Sequence, residues 1–252
     1  MTTSESFSRF LELEGIYNFR DIGGYPTQDG RLTRWKTIYR SDSLQNLTPE
    51  GEKALLDAGL RTIIDLRRQD EVEAEPDALM NSPRIQFFNL PILQNPASSA
   101  NMQAFVTIED LVGLYTTILD HFQDRLLPVF QQISDSITSP VLVHCSAGKD
   151  RTGLVIALLL DLANVAPETI AADYELTRAR VAPMLDGYRR KAAAMGIDLE
   201  RHERMLECRA ETMLGTLEHL HSHYNGARAY LKQIGLSEQA VDTLYTAISV
   251  DS

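Results

Sequence analysis

The chain of 252 residues is 44% hydrophobic and carries a formal net charge of −11 at pH 7. This length allows one α/β domain with a substantial core plus an appendage, and the acidic balance argues against nonspecific binding to nucleic acid. The first residues lack a basic and apolar signal segment, and the longest apolar run, Leu154 to Leu160, is far shorter than the roughly 20 residues of a membrane span. We therefore predict a cytoplasmic protein without an integral membrane segment.

The first part of the chain alternates helix and strand patterns. Thr48, which is followed by a proline, predicts the start of a helix that ends near Gly59. The apolar stretches 62–66 and 85–90 predict two strands, separated by a polar and acidic segment. Residues 94–101 are rich in Asn, Pro, Ser and Ala, a composition typical of a mobile loop.

The central part of the chain continues this alternation. Helices are expected over 107–122 and 124–135, and the apolar residues 140–143 predict a buried strand. A second apolar stretch, 154–160, predicts a buried helix shortly after this strand. Because alternating strands and helices form α/β folds, we predict a mostly parallel central sheet flanked by helices.

After Asn164 the sequence has helical patterns and no strand pattern. The expected helices are 167–178, 183–195, about 200–224, and 237–248. We interpret residues 1–252 as a single domain whose C-terminal part, 165–252, is all-helical. This part either completes the hydrophobic core or forms a lid over a cleft.

The segment 144–153 combines a cysteine and an arginine with small residues, in the order His-Cys-Ser-Ala-Gly-Lys-Asp-Arg-Thr-Gly. It lies between the predicted strand and the predicted buried helix, a place where backbone N–H groups and the helix dipole bind anions. Arg151 adds a planar pair of donors that suits two phosphate oxygens, and the positive field favours the thiolate form of Cys145. The small residues that let the backbone approach a phosphate are Ser146, Ala147 and Gly148. The segment therefore predicts attack of a cysteine on a phosphate ester, with no metal and no other cofactor.

The sequence also suggests roles for two neighbours of Cys145 and for the second cysteine, Cys208. We expect His144 to fix the loop by hydrogen bonds to the backbone rather than to act as a base. The hydroxyl of Thr152 is expected to donate to the sulfur of Cys145, which makes the sulfur a better leaving group. The alternative for Cys145 is a buried structural thiol, which the complete pattern of 144–153 disfavours. Cys208 is expected to be an inert helical thiol, with oxidative protection of the nucleophile as its alternative role.

The segment 144–153 resembles the signature of the cysteine-dependent tyrosine phosphatase superfamily. Its Gly-Lys-Asp-Arg variant is similar to that of an atypical bacterial group, typified by a secreted mycobacterial tyrosine phosphatase, with members that act on phosphoinositides. The resemblance extends to residues 18–25 (Asn-Phe-Arg-Asp-Ile-Gly-Gly-Tyr), 39–42 (Tyr-Arg-Ser-Asp) and 63–67 (Ile-Ile-Asp-Leu-Arg), and more loosely to 230–236. It implies a phosphatase fold with a helical lid, hydrolysis through a cysteinyl-phosphate, and compatibility with export by a signal-independent route.

Two aspartates are candidates for the general acid that protonates the leaving group. Asp150 lies inside the loop, directly before the arginine, and in related enzymes an aspartate at this position has that role. Asp65 ends a predicted strand, and active sites of open α/β sheets lie at the carboxyl ends of strands. Each has a structural alternative, since Asp150 can neutralise a neighbouring cation and Asp65 can pair with Arg67 or Arg40. We predict that Asp150 is the acid.

Lys149 is the candidate for substrate selection. A second cation at the rim of the phosphate cradle suits a substrate with more than one phosphate, and the resemblance to inositol-lipid phosphatases implies the same. The alternative is a solvated charge paired with Asp150. The predicted partners are phosphotyrosine proteins, with phosphoserine, phosphothreonine and phosphoinositides as further substrates.

Three other functions are compatible with parts of this sequence. Rhodanese-type sulfurtransferases and arsenate reductases use a similar loop, but residues 150–153 (Asp-Arg-Thr-Gly) disfavour them. A catalytically silent phosphate-binding module has no need of the cysteine. His219 and His223 share a helix face with His221 beside them, yet no metalloprotease motif surrounds them, so we expect a solvated face and no metal site.

Overall fold

The computed structural model describes residues 8–93, 108, 110–194, 196 and 198–251. The elements as far as the central strand are β1 (Arg20–Asp21), β2 (Leu32–Thr33), β3 (Ile38–Ser41), α1 (Pro49–Asp57), β4 (Thr62–Asp65), α2 (Gln69–Ala74), β5 (Gln86–Asn89), α3 (Leu111–His121), α4 (Gln123–Ser136) and β6 (Val141–His144). The predicted helices and strands of this half are present, and Thr48 caps α1 by accepting from the N–H of Gly51. Helix α2 was not predicted, because its short acidic sequence has no apolar period. The predicted loop at 94–101 lies outside the described residues.

The second half of the chain is mostly helical. Its elements are α5 (Asp150–Leu162), α6 (Pro167–Val181), a 3₁₀ turn (Ala182–Met184), α7 (Leu185–Ala194), α8 (Leu199–Leu206), α9 (Ala210–Tyr224), α10 (Ala227–Gln233), α11 (Glu238–Ile248) and β7 (Ser249–Val250). The run expected over 200–224 is two helices, with a break at 207–209. The expectation of an all-helical part requires a correction, since β7 pairs antiparallel with β2. Two residues are too few to produce an alternating pattern in the sequence.

The main sheet has the strand order β1-β3-β6-β4-β5. Strand β1 pairs antiparallel with β3, and the other neighbours are parallel. The predicted α/β fold with a mostly parallel sheet is therefore confirmed. Register places Ser41 and Asp65 on either side of His144, the last residue of the central strand. The segment that follows this strand therefore starts at the edge where the carboxyl ends of three strands meet.

Alternate residues of the buried strands enter two hydrophobic clusters, as the two-residue period of a strand requires. Ile64 and Val143 belong to the larger cluster, which also contains buried residues of helices α3 to α6 and α9 to α11. Ile63 and Leu142 belong to the smaller one, with residues of α1 and of the N-terminal segment. Most of the C-terminal helices therefore complete the core.

Helices α7 and α8 contribute little to this core. Ala192 is the buried residue of α7, and none of the side chains described in α8 is buried. Both helices instead lie beside the loop that follows β6, where they line a cavity. None of the helices among the described residues combines the length and the hydrophobicity that a bilayer crossing requires.

Candidate active site

The loop between β6 and α5 is packed closely against the neighbouring strand. Gly148 has a φ of +64°, and a Cβ at this position would lie 2.1 Å from the carbonyl oxygen of Ser41. A side chain is excluded there on both grounds. The loop is also tied to the chain after β3 by a hydrogen bond of 3.0 Å from the N–H of Ser43 to the carbonyl of Ser146. Cys145 begins the loop and is 2% exposed.

Buried donors hold the carbonyl groups of the loop from the inner side. The amide of Asn18 donates to the carbonyls of Ala147 (2.9 Å) and Gly148 (3.2 Å). The guanidinium of Arg40 donates to the carbonyl of Gly148 at 2.7 Å. In a trans peptide the N–H points away from the C=O of the same plane. These contacts therefore direct the N–H of Gly148 and that of the next residue to the opposite side.

One buried carboxylate neutralises the cations of this inner side. Asp173, on α6, accepts from Arg20 at 2.9 Å and from Arg40 at 2.6 Å, and each of these side chains is at most 1% exposed. Burial alone would raise the pKa of Asp173, but the two guanidinium groups hold it well below its usual range. Segments 18–25 and 39–42, which share the family resemblance with residues 144–153, thus lie against the loop between β6 and α5.

Arg151 is held by an acid that the sequence did not reveal. Its two terminal nitrogens lie 2.7 and 3.0 Å from the carboxylate oxygens of Glu71, on α2. Ser146 donates to the same carboxylate at 2.7 Å. Burial alone would raise the pKa of Glu71, but Arg151 and Ser146 lower it to about 2, so the group is ionised. The available signal was the place of Glu71, just after the carboxyl end of β4.

The two candidate acids lie in different surroundings. The Asp150 side chain is 32% exposed and lines the cavity that contains Cys145. Asp65 is 0% exposed and accepts from Arg67 at 2.8 Å, below the loop. The expectation that Asp65 is a rival acid is therefore corrected, since its carboxylate is enclosed in a buried ion pair. Its structural alternative, pairing with Arg67, is what the structure shows.

Lys149 is not a free cation at the rim. Its side chain is 4% exposed, and its ammonium donates to the carbonyls of Met205 and Glu207, the latter at 2.9 Å. It also lies 3.3 Å from Asp150. The expected role of Lys149 as a ligand for a second phosphate requires correction, because its ammonium already donates hydrogen bonds to carbonyls at the end of α8.

His144 lies behind the nucleophile in a buried charged cluster. Its Nδ1 is 3.2 Å from the carbonyl of Cys145, and its Nε2 is 3.1 Å from the carboxylate of Asp77. Burial lowers the pKa of His144, but Asp65 and Asp77 outweigh it and raise the pKa to about 9. A protonated imidazole donates rather than accepts, so His144 has the geometry of a loop support and not of a base. Polar atoms of His144, Asp65 and Asp77 lie within 4.8 Å of one another, a spacing that could hold a metal ion. The guanidinium of Arg67 contacts the carboxylates of both aspartates.

Other predicted residues have different surroundings from those expected. The hydroxyl of Thr152 is buried without a hydrogen-bond partner in the described part of the chain, so the expected bond to sulfur is not present. Burial raises the pKa of Cys208 to about 11, and its thiol donates to the carbonyl of Tyr174. The expectation of a solvated histidine face was wrong in part, since His219 and His221 pair with aspartates of neighbouring helices.

These residues surround a cavity of about 280 Å³. Its floor contains Cys145, Asp150, Arg151 and Glu71, and helices α7 and α8 supply the opposite wall. The lining residues of that wall include Leu185, Tyr188, His202, Met205 and Leu206. A thiol and a guanidinium thus line one cavity from a loop that leads into a helix, which places the protein among the cysteine-dependent phosphatases.

Comparison with known proteins agrees with this class. The chain matches the sequence model of the tyrosine phosphatase family over residues 11–249. It is 32% identical to a tyrosine-protein phosphatase of Nostoc commune, over 81% of this chain and 71% of that protein. It is 26% identical to the triple specificity protein phosphatase PtpB of Mycobacterium tuberculosis, over 92% of this chain and 96% of that protein. A putative tyrosine-protein phosphatase of Cupriavidus necator is 25% identical over 88% of this chain and 82% of that protein.

The chain therefore belongs to the tyrosine phosphatase family. The resemblance drawn from residues 144–153 is confirmed, and so is hydrolysis as its class of reaction.

Proposed function

We propose that this phosphatase acts on phosphotyrosine in proteins, with Cys145 as nucleophile, Arg151 as phosphate ligand and Asp150 as general acid. The observation that carries the proposal is that all three side chains line the cavity between the loop and α7–α8. Glu71 accepts from both terminal nitrogens of the Arg151 guanidinium, and Ser146 Oγ accepts from one of them at 3.1 Å. Among the described residues no hydrogen bond engages Nε of Arg151, so this nitrogen is the proposed donor to the phosphate. The ion pair thereby orients the guanidinium before substrate arrives.

The reaction proceeds in two displacements. The thiolate of Cys145 attacks phosphorus, the ester P–O bond breaks, and the leaving oxygen takes the proton of Asp150. The ionised Asp150 then removes a proton from a water molecule that attacks the cysteinyl-phosphate. The S–P bond breaks, inorganic phosphate leaves, and both the thiolate and the protonated acid are restored. Arg151 and the N–H groups of the loop bind the charge on the equatorial oxygens throughout.

The proposed substrate range extends to phosphoserine, phosphothreonine and phosphoinositides. A second cavity of about 470 Å³ shares Glu71, Ser146 and Tyr188 with the first. The cleft thus continues beyond the phosphate pocket and accepts groups larger than an aryl ring. The relative that matches this chain over 96% of its own length is named a triple specificity protein phosphatase, which supports the proposed range of substrates.

Replacement of the nucleophile tests the proposal. Cys145→Ser should lower turnover of a phosphotyrosine peptide by more than about a thousandfold, the scale on which loss of a nucleophile acts. The variant should still bind the peptide, as measured by calorimetry. Cys208→Ser, which replaces the other buried thiol, is the matched control and should retain turnover. Residual turnover of Cys145→Ser near that of the wild type would exclude the covalent mechanism.

A substrate panel tests the proposed range. Phosphotyrosine, phosphoserine and phosphothreonine peptides are compared with inositol lipids that carry one or several phosphates. Because Lys149 holds carbonyls at the end of α8, Lys149→Ala should lower kcat/KM for all substrates by similar factors. A loss confined to lipids with several phosphates would instead restore the role of Lys149 as a phosphate ligand.

A further inference from the structure

A pair of buried tyrosines reaches Asp150 from outside the catalytic loop. Tyr115 lies on α3 and Tyr174 on α6, with exposures of 0% and 1%. Their rings meet edge to face, with centroids 6.1 Å apart. The hydroxyl oxygen of Tyr115 is 2.6 Å from Oδ1 of Asp150 and 2.7 Å from the hydroxyl oxygen of Tyr174. Two core helices thus converge on one carboxyl group at the start of α5.

The direction of these hydrogen bonds follows from their chemistry. Burial raises the pKa of Tyr115 and of Tyr174 well above their usual range, so both phenols keep their protons. A carboxylate oxygen accepts, and therefore Tyr115 donates to Asp150. The oxygen of Tyr115 is then the acceptor for the hydroxyl of Tyr174. The three groups form a chain of donors that ends at Oδ1, and such chains strengthen each member.

The two carboxylate oxygens of Asp150 are not equivalent. The ammonium of Lys149 also lies near Oδ1, at 3.3 Å. In the part of the chain that the structure describes, no hydrogen bond reaches Oδ2. An oxygen that already receives two donors is the poorer site for a further proton. A proton on Asp150 therefore resides at Oδ2.

We propose that Tyr115, supported by Tyr174, is a positioning residue that fixes Asp150 with Oδ2 as the proton-donating oxygen. The inference rests on the proposed role of Asp150 as the acid. Without the hydroxyl of Tyr115, the carboxyl group can rotate about two side-chain bonds at the first residue of α5. Proton transfer requires the donor to face the leaving oxygen at hydrogen-bond distance, so this freedom costs rate.

The test is the dependence of turnover on the leaving group. Tyr115→Phe keeps the ring and removes the hydroxyl. Its kcat/KM for phenyl phosphate, which has a poor leaving group, should fall about tenfold, as a general acid matters most there. Its kcat/KM for 2,4-dinitrophenyl phosphate should fall less than about twofold, since that leaving group needs little help from an acid. Tyr174→Phe should show the same selectivity with a smaller loss.

Matched variants separate positioning from loss of structure. Tyr230→Phe removes another buried hydroxyl, which donates to the carbonyl of Leu119 at 2.8 Å, and should leave both substrates unaffected. Thermal unfolding of each variant shows how much stability the lost hydroxyl provided. In the Asp150→Ala background, Tyr115→Phe should not lower kcat/KM for phenyl phosphate any further, because the group that Tyr115 positions is absent.

The outcomes distinguish the inference from the function on which it rests. Equal losses for both aryl phosphates in Tyr115→Phe, or additive losses with Asp150→Ala, would overturn the positioning role and leave Asp150 as the acid. If Asp150→Ala itself shows no preference between the two leaving groups, the assignment of the acid fails, and the positioning role fails with it. The inference is supported if each variant selectively loses kcat/KM for phenyl phosphate and the double variant loses no more than Asp150→Ala alone.

Discussion

The inner and outer sides of the catalytic loop are built differently. On the inner side Asn18, Arg40 and Asp173 form a network whose side chains are at most 1% exposed. On the outer side α7 and α8 are joined by the ion pair of Arg189 and Glu203, whose side chains are 44% and 48% exposed. Buried charged contacts fix the anion cradle, while the contact between α7 and α8, the two helices that cover it, is an exposed ion pair, which is individually weak. We therefore expect helices α7 and α8 to open locally at a lower free-energy cost than the anion cradle.

The largest expected effect comes from breaking the inner network. Asp173→Asn removes the charge that neutralises Arg20 and Arg40 and leaves two guanidinium groups without compensation. Loss of one partner of a buried ion pair costs about 3–5 kcal/mol, so the free energy of unfolding should fall by that amount. Urea denaturation followed by circular dichroism measures this change.

The outer side offers a matched control. Asp186 also pairs with an arginine, Arg189, but its side chain is 78% exposed. Asp186→Asn should leave the urea midpoint almost unchanged. If the two variants were equally destabilised, the contrast between the sides would be wrong.

An intermediate effect is expected from pH. The folded pKa of His144 is raised to about 9 from its usual 6.5, chiefly because Asp65 and Asp77 overcome the effect of burial. Its contribution to stability is therefore complete below pH 6.5 and is lost as the pH rises through 9. The wild type should lose on the order of 2–3 kcal/mol over this window relative to His144→Gln. Urea titrations of both proteins at pH 6 and pH 9.5 test this, and parallel pH curves would contradict it.

The smallest effect on stability is expected at the cover. Arg189→Ala removes the contacts of α7 with Glu203 on α8, which are exposed to solvent. The thermal midpoint should hardly move. Hydrogen exchange followed by mass spectrometry should accelerate in α7 and α8 and stay unchanged in α5 and β6. Acceleration spread over the whole protein would show that the cover and the cradle are one cooperative unit.

The predictability of the site depended on how far along the chain the partners lie. Cys145 and Arg151 could be proposed from the sequence because one short segment contains both residues and the small residues between them. Glu71 was missed because its contact with Arg151 joins two distant elements and follows no sequence spacing. The surroundings of Lys149 were missed for a related reason, since nothing near it in sequence shows that the carbonyls of residues 205 and 207 accept hydrogen bonds from its ammonium.

The fold shows the same division. The parallel sheet was predicted because strand and helix patterns alternate over long stretches. Helix α2 and strand β7 were not, since six and two residues are too few for a period to be visible. The difference in exposure between Asp150 and Asp65 also depends on the fold. Asp65 ends β4 and Asp150 begins α5, and only the packing around them makes one carboxyl group accessible and encloses the other.

The contacts of the inner network have a consequence for the order in which the protein matures. They join residues 130, 108 and 153 positions apart, namely Asn18 with Gly148, Arg40 with Gly148, and Arg20 with Asp173. Contacts of such separation require the closure of long loops, which slows folding. On the ribosome Cys145 emerges before Asp173, so the nascent chain has its thiol but not yet the support that shapes the anion cradle. The buried network around the cradle can therefore be completed only after α6 has been synthesised.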